Sequence, residues 1–295
     1  MMILAPSYYK DFACIADKCK NSCCVGWEID IDENTIRKYS ELSGGYAEKI
    51  KSSITGKSVP HFKLCKNGNC PHLDGLGLCK IITELGENYL CDICREHPRF
   101  YLDTTKGKEV GLGMSCEEAA RIILSYDGYD IFDVIDELEN EPCVCDFDAT
   151  EMRTEIYKIL SNRTVSYSER LNKISAFCSV TPKDKSDNDW REILGGLEYL
   201  DDAHRKLFSH FQSNPQVAKN LETPLERALA YFVFRHCTEA KSENEFSSSL
   251  GFALLLERLL ASVSTPENIH EMARIISEEI EYSEDNTESL KFEFI

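Results

Sequence analysis

The sequence predicts a mainly α-helical protein in which a cysteine-rich metal-cluster module, with short helices and a small hairpin, precedes a helical domain. Ten of the 14 cysteines lie between Cys14 and Cys116. From Ser115 onward, apolar residues recur at helical spacing almost throughout. These observations divide the chain near residue 120, so that residues 1–120 form the cysteine-rich module and residues 121–295 form an acidic helical domain.

Short elements separated by turns are expected in the first module. Apolar spacing predicts four short helices, at Glu33–Leu42, Tyr46–Ile54, Cys79–Leu85 and Asn88–Cys94. A hairpin is predicted from Arg99–Thr104 and Glu109–Met114, and its turn falls at Lys106-Gly107.

Helix start signals mark the second domain. Ser115 with Glu118 matches a capping box, in which each side chain accepts a backbone N–H at the helix start. Thr223-Pro224-Leu225-Glu226 and Thr265-Pro266-Glu267 carry a capping threonine with proline at the first helical position. Further helical patterns run over Glu151–Leu160, Ser168–Ser179 and Trp190–Phe211.

The net charge of −18 is uneven along the chain, because residues 121–295 carry 18 Lys+Arg against 34 Asp+Glu. An acidic surface repels phosphate backbones and attracts basic protein surfaces, so no nucleic-acid partner is expected. Acidic surfaces also serve solubility alone. The acidic residues Glu137, Glu139 and Glu141 are a candidate contact patch for a basic partner.

The apolar stretches are short. Ala228–Phe234 and Gly251–Leu256 are the longest, and a membrane helix needs about 20 apolar residues. The N-terminus has neither the basic region nor the apolar core of a secretory signal. We therefore expect a cytoplasmic protein with no membrane partner, in a compartment where disulfide frameworks are rare.

The cysteines form two groups with metal-ligand spacing. The first is Cys14-x4-Cys19-x3-Cys23-Cys24, and the second comprises Cys70, Cys79, Cys91, Cys94 and Cys116, with Cys65 nearby. Thiolates are soft ligands that suit zinc or an iron–sulfur cluster. An iron–sulfur cluster is preferred, because the thiols outnumber the four ligands of one zinc ion and histidines are few; zinc remains the alternative.

Four further cysteines are interpreted as small hydrophobic residues rather than ligands. Cys237 lies in the apolar series of a predicted helix, and Cys143-x-Cys145 is isolated in a break between helices. Cys178 is treated in the same way.

Several blocks resemble the flagellin lysine-N-methylase family, which is related to a wider group of zinc- or iron-chelating cysteine-cluster proteins. The first block is Phe12-x-Cys14-x4-Cys19-x3-Cys23-Cys24-x2-Trp27-x-Ile29-x-Ile31-Asp32-x2-Thr35. Similar blocks follow at Cys70-Pro71-His72-Leu73, Gly77-Leu78-Cys79-Lys80-Ile81, Leu85-Gly86-Glu87, Cys94-Arg95-x-His97-Pro98-Arg99, Ser115-Cys116-Glu117-Glu118-Ala119-Ala120-Arg121 and Tyr231-Phe232-Val233-Phe234-Arg235.

The resemblance implies a ligand pool, a reaction and a partner. The implied metal ligands are Cys14, Cys19, Cys23, Cys24, Cys70, Cys79, Cys94 and Cys116, and Cys65 and Cys91 match the pattern less well. The implied reaction transfers a methyl group, from S-adenosylmethionine, to a lysine of flagellin or of another lysine-bearing protein. Arg95 and Arg99 flank a ligand and are candidate contacts for this cofactor, although a salt-bridge network explains them equally well.

Some alternatives stay open. No dinucleotide-type loop of the usual methyltransferase fold is visible in the sequence, and the catalytic residues are not identified by it. A cofactor cleaved by the cluster to a radical is less favoured, because the Cys-x3-Cys-x2-Cys spacing is absent. A non-catalytic metal-binding interaction module and a redox protein are the other two classes considered.

Overall fold

The computed structural model describes residues 2–137, 147–177 and 185–295. Its strands are β1 (Met2–Pro6), β2 (Ile54–Thr55), β3 (His61–Phe62), β4 (Arg99–Thr104), β5 (Gly107–Leu112) and β6 (Phe132–Glu137). Its α-helices are α1 (Glu33–Glu41), α2 (Ala47–Ser53), α3 (Lys80–Leu85), α4 (Asp92–Glu96), α5 (Glu117–Ser125), α6 (Ala149–Leu160), α7 (Tyr167–Phe177), α8 (Asp187–Gly195), α9 (Asp202–Phe208), α10 (Glu222–Cys237), α11 (Glu243–Val263), α12 (Ile269–Ile276) and α13 (Glu284–Phe292). The predicted mainly α fold is confirmed.

The chain forms two compact units, which we call the thiol unit and the helical unit. The thiol unit is Ala13–Arg99, and the helical unit is Met1–Phe12 together with Phe100–Ile295. The boundary near residue 120, drawn from cysteine density and capping signals, falls inside α5. The compact units therefore divide the chain at other positions.

The thiol unit is built from short elements around a small core. Asp32 caps α1 by accepting the N–H of Thr35 at 2.8 Å. The strands β2 and β3 pair antiparallel through Ile54 and Phe62. The core contains Ile29, Ile31, Tyr39, Ile50, Phe62, Ile81 and Leu90 together with Cys70 and Cys91. The first two predicted helices are confirmed as α1 and α2.

The helical unit contains a four-stranded sheet in the order β4-β5-β1-β6. The predicted hairpin is confirmed as β4 and β5, with Thr104 Oγ1 donating to the carbonyl of Gly107 at 3.1 Å. β1 is parallel to β5 and antiparallel to β6. The strand β6 lies in a region that the sequence predicted as helical, because the alternation of Phe132-Asp133-Val134 is too short to outweigh the helical pattern around it.

Helices α10 and α11 form the centre of the helical unit's core. Nearly all apolar residues of α10 from Leu225 to Phe234 are buried, and so is the run Leu250–Leu256 of α11. By length and composition alone, Glu243–Val263 is one helix that is apolar enough to cross a membrane. However, 72% of its most apolar window is buried inside the protein, as expected for a core helix.

Two predicted helix starts were wrong by one or two residues. α5 has Cys116 at its N-cap, so Ser115 lies outside the helix and forms no capping box, while Glu118 instead accepts from Arg121 at 2.7 Å. α10 begins at Glu222, one residue before the threonine that was expected to cap it. Glu226 is drawn inward by the buried guanidinium of Arg170.

Two other predicted helices were also placed imperfectly. Trp190–Phe211 divides into α8 and α9, because Gly195-Gly196 ends the first helix. The helix start predicted at Thr265 was also wrong, since Asn268 is the N-cap position of α12 and its side chain accepts the N–H of Thr265, outside the helix, at 2.6 Å. The helix predicted over Ser168–Ser179 is observed as α7 to Phe177, and its last residues lie outside the described part of the chain.

Candidate metal centre

Five cysteines of the thiol unit gather around its core. Cys70 and Cys91 are buried members of that core, and Cys24, Cys79 and Cys94 pack against it half-buried. None of the five forms a disulfide bond. They lie near enough to influence one another electrostatically: Cys24, Cys79 and Cys91 each raise the pKa of Cys70. The fold therefore brings together cysteines that are far apart in the sequence.

Backbone pairing brings together the segments that carry Cys24, Cys70 and Cys79. The N–H of Cys70 donates to the carbonyl of Cys24 at 2.8 Å, and the adjacent residues Val25 and Asn69 form an antiparallel bridge. A second bridge joins Leu73 to Cys79. These pairings hold three loops side by side and fix the positions from which their cysteine side chains start.

The carboxylate of Asp32 positions the turn that carries Cys91 and Cys94. Besides capping α1, Asp32 accepts the N–H of Asp92 at 2.9 Å, at the first residue of α4. α4 carries Cys94, and Cys91 is its N-cap. The burial of Asp32 opposes its ionisation, but the N–H donors of Asp92 and Thr35 outweigh that effect and lower its pKa. Asp32 therefore ties the Cys91–Cys94 turn to α1.

Backbone N–H groups near several of the sulfur atoms favour ionisation. The N–H of His72 acts to lower the pKa of Cys70, and those of Ile81 and Ile82 act to lower the pKa of Cys79, in both cases against the larger effect of burial. The N–H of Cys94 acts in the same direction on Cys91. N–H donors stabilise a thiolate relative to a thiol. Such bonds to cysteine sulfurs also tune iron–sulfur centres.

Burial opposes ionisation at most of these positions. It raises the pKa of Cys70 to about 12 and also raises the pKa of Cys79. A hydrogen bond from Cys94 lowers the pKa of Cys91, and the same bond together with burial raises the pKa of Cys94. The pKa of Cys24 falls to about 7, chiefly through its hydrogen bond with Cys23. Binding of a cation would favour the thiolate forms of these cysteines, because metal binding displaces thiol protons.

His72 sits among these cysteines, but both of its ring nitrogens are already hydrogen-bonded. Nδ1 lies 2.7 Å from the hydroxyl of Tyr46, and Nε2 lies 2.9 Å from the hydroxyl of Ser53. The ring is fully buried, and burial lowers its pKa to about 4. His72 is therefore a neutral structural residue that supports the loop between Cys70 and Cys79.

The other predicted ligands occupy different surroundings. Cys14 and Cys23 are exposed, and the half-buried Cys19 donates to the carbonyl of Asn21 at 3.2 Å. Cys116 belongs to the helical unit, where it caps α5 and packs partly buried against that unit's core. The assignment of these four as ligands stays a prediction.

The structure adds Cys91 to the thiol group, although the family pattern favoured leaving it out. Its spacing to Cys94, with two residues between them, was the signal that identifies it. Cys65 is exposed at a turn in which Gly68 donates to its carbonyl at 2.9 Å. Cys237 is fully buried in the helical unit's core, as predicted, and Cys143, Cys145 and Cys178 lie outside the described residues.

The two candidate cofactor arginines lie close to the thiol group in sequence. Arg95 is on α4, with its side chain 46% exposed, and it pairs with Asp92 and with Glu96, the latter at 3.2 Å. These pairs match the salt-bridge interpretation of Arg95. Arg99 is half-buried at the start of β4. Contacts of either residue with a cofactor remain a prediction.

The described residues thus form a small unit with five cysteines at its core and a largely helical unit. Sequence comparison gives more particular relatives. The chain is 28% identical over 130 residues to the flagellar biosynthetic protein FliU of Salmonella muenchen, a match that covers 42% of this chain and 77% of FliU. It is equally similar, over 42% of its length, to proteins named lysine-N-methylase from Salmonella choleraesuis (strain SC-B67) and Salmonella typhimurium (strain LT2).

These similarities confirm the predicted relationship to the flagellin lysine-N-methylase family. The matched region spans only 32% of each lysine-N-methylase. No family model matches the chain. No solved structure matches it either.

Proposed function

We propose that this chain is a cytoplasmic, lysine-N-methylase-like protein that transfers a methyl group from S-adenosylmethionine to a lysine of flagellin and holds a metal centre on its thiol unit. The relatives' names support the reaction and the partner. The five cysteines grouped around the core of the thiol unit support the metal, and they are the observation on which this proposal depends. The match spans about a third of each lysine-N-methylase. That this chain by itself has the methylase activity of those longer proteins is therefore proposed.

The residues present fit a thiolate-bound metal. Cys24, Cys70, Cys79, Cys91 and Cys94 would supply the sulfur ligands, and the N–H groups of Ile81 and Ile82 would stabilise one of them as a thiolate. Four thiolates satisfy either a four-iron cluster or one zinc ion, and the four-iron cluster is the centre we propose, with zinc as the alternative. When bound, such a centre supplies a Lewis-acidic iron or a one-electron donor.

The proposed methyl transfer requires that the target lysine be deprotonated. The lysine nitrogen forms a bond to the methyl carbon while the sulfonium–carbon bond breaks, leaving a neutral thioether and a methylated amine. The amine must first lose its proton to a base or to water, because the ammonium has no lone pair. Acidic side chains of the helical unit are the class from which we expect this base.

Charge supports a basic protein partner. The thiol unit has 12 Lys+Arg and 12 Asp+Glu, so the helical unit, with 21 and 39, holds all of the net charge of −18. Of the proposed contact patch, Glu137 is exposed at the end of β6, and Glu139 and Glu141 lie outside the described residues. The negative electrostatic field of the helical unit would accelerate and orient the approach of a lysine-bearing protein.

Metal analysis tests the first half of the proposal. The full chain is purified without oxygen, and iron, zinc and acid-labile sulfide are measured with the visible spectrum. We expect Cys70→Ser and Cys91→Ser to lose most of the bound metal. Cys65→Ser, an exposed thiol outside the group, should keep it. Full metal content in both core variants would contradict the proposed centre.

Methyl transfer tests the second half. Purified flagellin and radiolabelled S-adenosylmethionine are incubated with the metal-loaded chain, and labelled lysine is measured after hydrolysis. Incorporation that depends on the chain is expected. A chain that keeps its metal but transfers no methyl group would instead be the non-catalytic metal-binding module, which the thiol group by itself also suits. Reversible visible bleaching on reduction, without transfer, would indicate the redox protein.

A further inference from the structure

A groove on the helical unit has the shape and charge of a binding site for a lysine side chain. It lies between α8 and α13 and has a volume of about 410 Å³, within the range of sites that hold small ligands or side chains. The same two segments pack against each other, since Trp190 of α8 stacks on Phe294, just after α13, with ring centroids 5.7 Å apart. Asn286 of α13 donates to the carbonyl of Glu198 at 2.8 Å.

The floor and the rim of this groove differ in chemistry. The groove is lined by Ile193, Gly196 and Leu197, which we call its floor, and by Asp189, Glu192 and Glu293 together with Ser289, which we call its rim. A lysine side chain combines four methylenes with a terminal ammonium, and such side chains bury the stem on apolar surface while the charge meets carboxylates. The floor and rim therefore match the two parts of one side chain.

The rim carboxylates keep a net negative charge. The hydroxyl and N–H of Ser186 lower the pKa of Asp189, which stays ionised. Glu293 pairs with Lys185 at 2.7 Å, so three carboxylates face one ammonium. Glu192 is exposed, and it is available to a cation from a partner.

We infer that this groove is a docking site for a surface lysine of the protein substrate, separate from the lysine that is methylated. The inference rests on the proposed function, because the partner is the lysine-bearing protein named there. The helical unit's excess of carboxylates would bring a basic surface near, and the groove would fix its position. The function of the groove is orientation of the partner rather than chemistry.

Two variants of the full chain test separately the charge of the rim and the apolar surface of the floor. Glu192→Lys reverses one rim charge, and Gly196→Leu fills the floor without altering charge. A Cβ at Gly196 meets only ordinary contacts, at 3.4 Å from the carbonyl of Ile193. The matched controls are Glu267→Lys, an exposed carboxylate that does not line the groove, and Gly195→Leu, where a Cβ meets nothing within 4 Å.

The probe is a fluorescent ten-residue peptide of alternating lysine and alanine, compared with the same peptide carrying N-acetyl-lysine. At low salt, Glu192→Lys and Gly196→Leu should weaken binding by up to about fivefold relative to their controls, which corresponds to an exposed ion pair worth at most about 1 kcal/mol. The acetylated peptide should bind wild type and variants equally weakly. Equal losses in variants and controls would show general attraction by net charge and would overturn the inference, as would no binding to wild type.

Flagellin methylation by the same samples separates the two proposals. If the groove orients the substrate, Gly196→Leu should raise the KM for flagellin with little change in kcat. If wild type methylates flagellin and both groove variants match it in KM, the groove inference fails and the proposed function stands. If no sample methylates flagellin while the peptide still binds through Glu192, the proposed function fails and the lysine groove stands.

Discussion

Asp32 joins two helix starts of the thiol unit, and replacing it with alanine should loosen both. One oxygen caps α1 at 2.8 Å from the N–H of Thr35, and the other lies 2.9 Å from the N–H of Asp92 at the start of α4. Loss of a capping carboxylate costs about 1 kcal/mol per helix start. The combined cost is about 2 kcal/mol, which corresponds to an opening equilibrium raised about thirtyfold.

Amide hydrogen exchange on peptides covering α1 and α4 measures this opening directly. Asp32→Asn keeps one acceptor oxygen and should lose about half as much protection. Asp30→Ala, an exposed carboxylate two residues earlier, is the control. Because the Asp32 pKa is lowered in the folded chain, its contribution is present above the ordinary aspartate pKa and is lost as the pH falls through the lowered value. Equal exchange in Asp32→Ala and Asp30→Ala at neutral pH would refute this account of the Cys91–Cys94 turn.

Three further substitutions in the helical unit have defined outcomes. Glu257 is buried, and burial raises its pKa to about 7 against an ordinary 4.5, so its contribution to stability is lost as the pH rises from about 4.5 to 7 or above. Glu257→Gln should keep the hydrogen bond from Tyr167 and, by urea unfolding at pH 8, be more stable by up to about 3 kcal/mol; a pH dependence unchanged from wild type would contradict this. Tyr231→Phe removes a buried hydroxyl that donates to Glu281 at 3.0 Å and accepts from the N–H of Met114 at 3.2 Å, and it should cost about 1–3 kcal/mol in urea unfolding. Tyr199→Phe, at a half-buried hydroxyl, is its control, and equal costs would argue against the buried network. Gly113→Ala should lower the thermal midpoint by several degrees, because its Cβ would lie 2.2 Å from the hydroxyl of Tyr282; the similar change Gly195→Ala should be silent, and equal midpoints would show that the neighbouring side chains move aside.

The sequence predicts local structure here better than long-range structure. α1 and α2 follow directly from apolar spacing. β1 and β6 are not readable, because each is held by a partner far away in the sequence: Leu4 pairs with Val134. Helix starts at Thr223 and Ser115 were misplaced because buried contacts and the loop before α5 outweigh local capping preferences.

The thiol group illustrates the same limit. The Cys91–Cys94 spacing marks a metal-binding turn, but only the pairing of Cys24 with Cys70 and of Leu73 with Cys79 shows which loops meet. The groove between α8 and α13 has no sequence signal, since its walls come from segments about 100 residues apart. The sequence does not distinguish Glu192 from other solvated acidic residues, because it does not show the groove that Glu192 lines.

The pairing of β1 with β5 has a consequence for the order in which the chain folds. Met2 lies beside Gly107 in a parallel pair, and the whole thiol unit is inserted between these strands. During synthesis β1 emerges before β5 and has no parallel partner until residue 107 has been made. A thiol unit that is already compact draws Phe12 and Phe100 nearer and shortens the effective loop that must close. Any event that delays collapse of the inserted unit should therefore leave β1 exposed as an unpaired edge for longer, when it is most prone to aggregation.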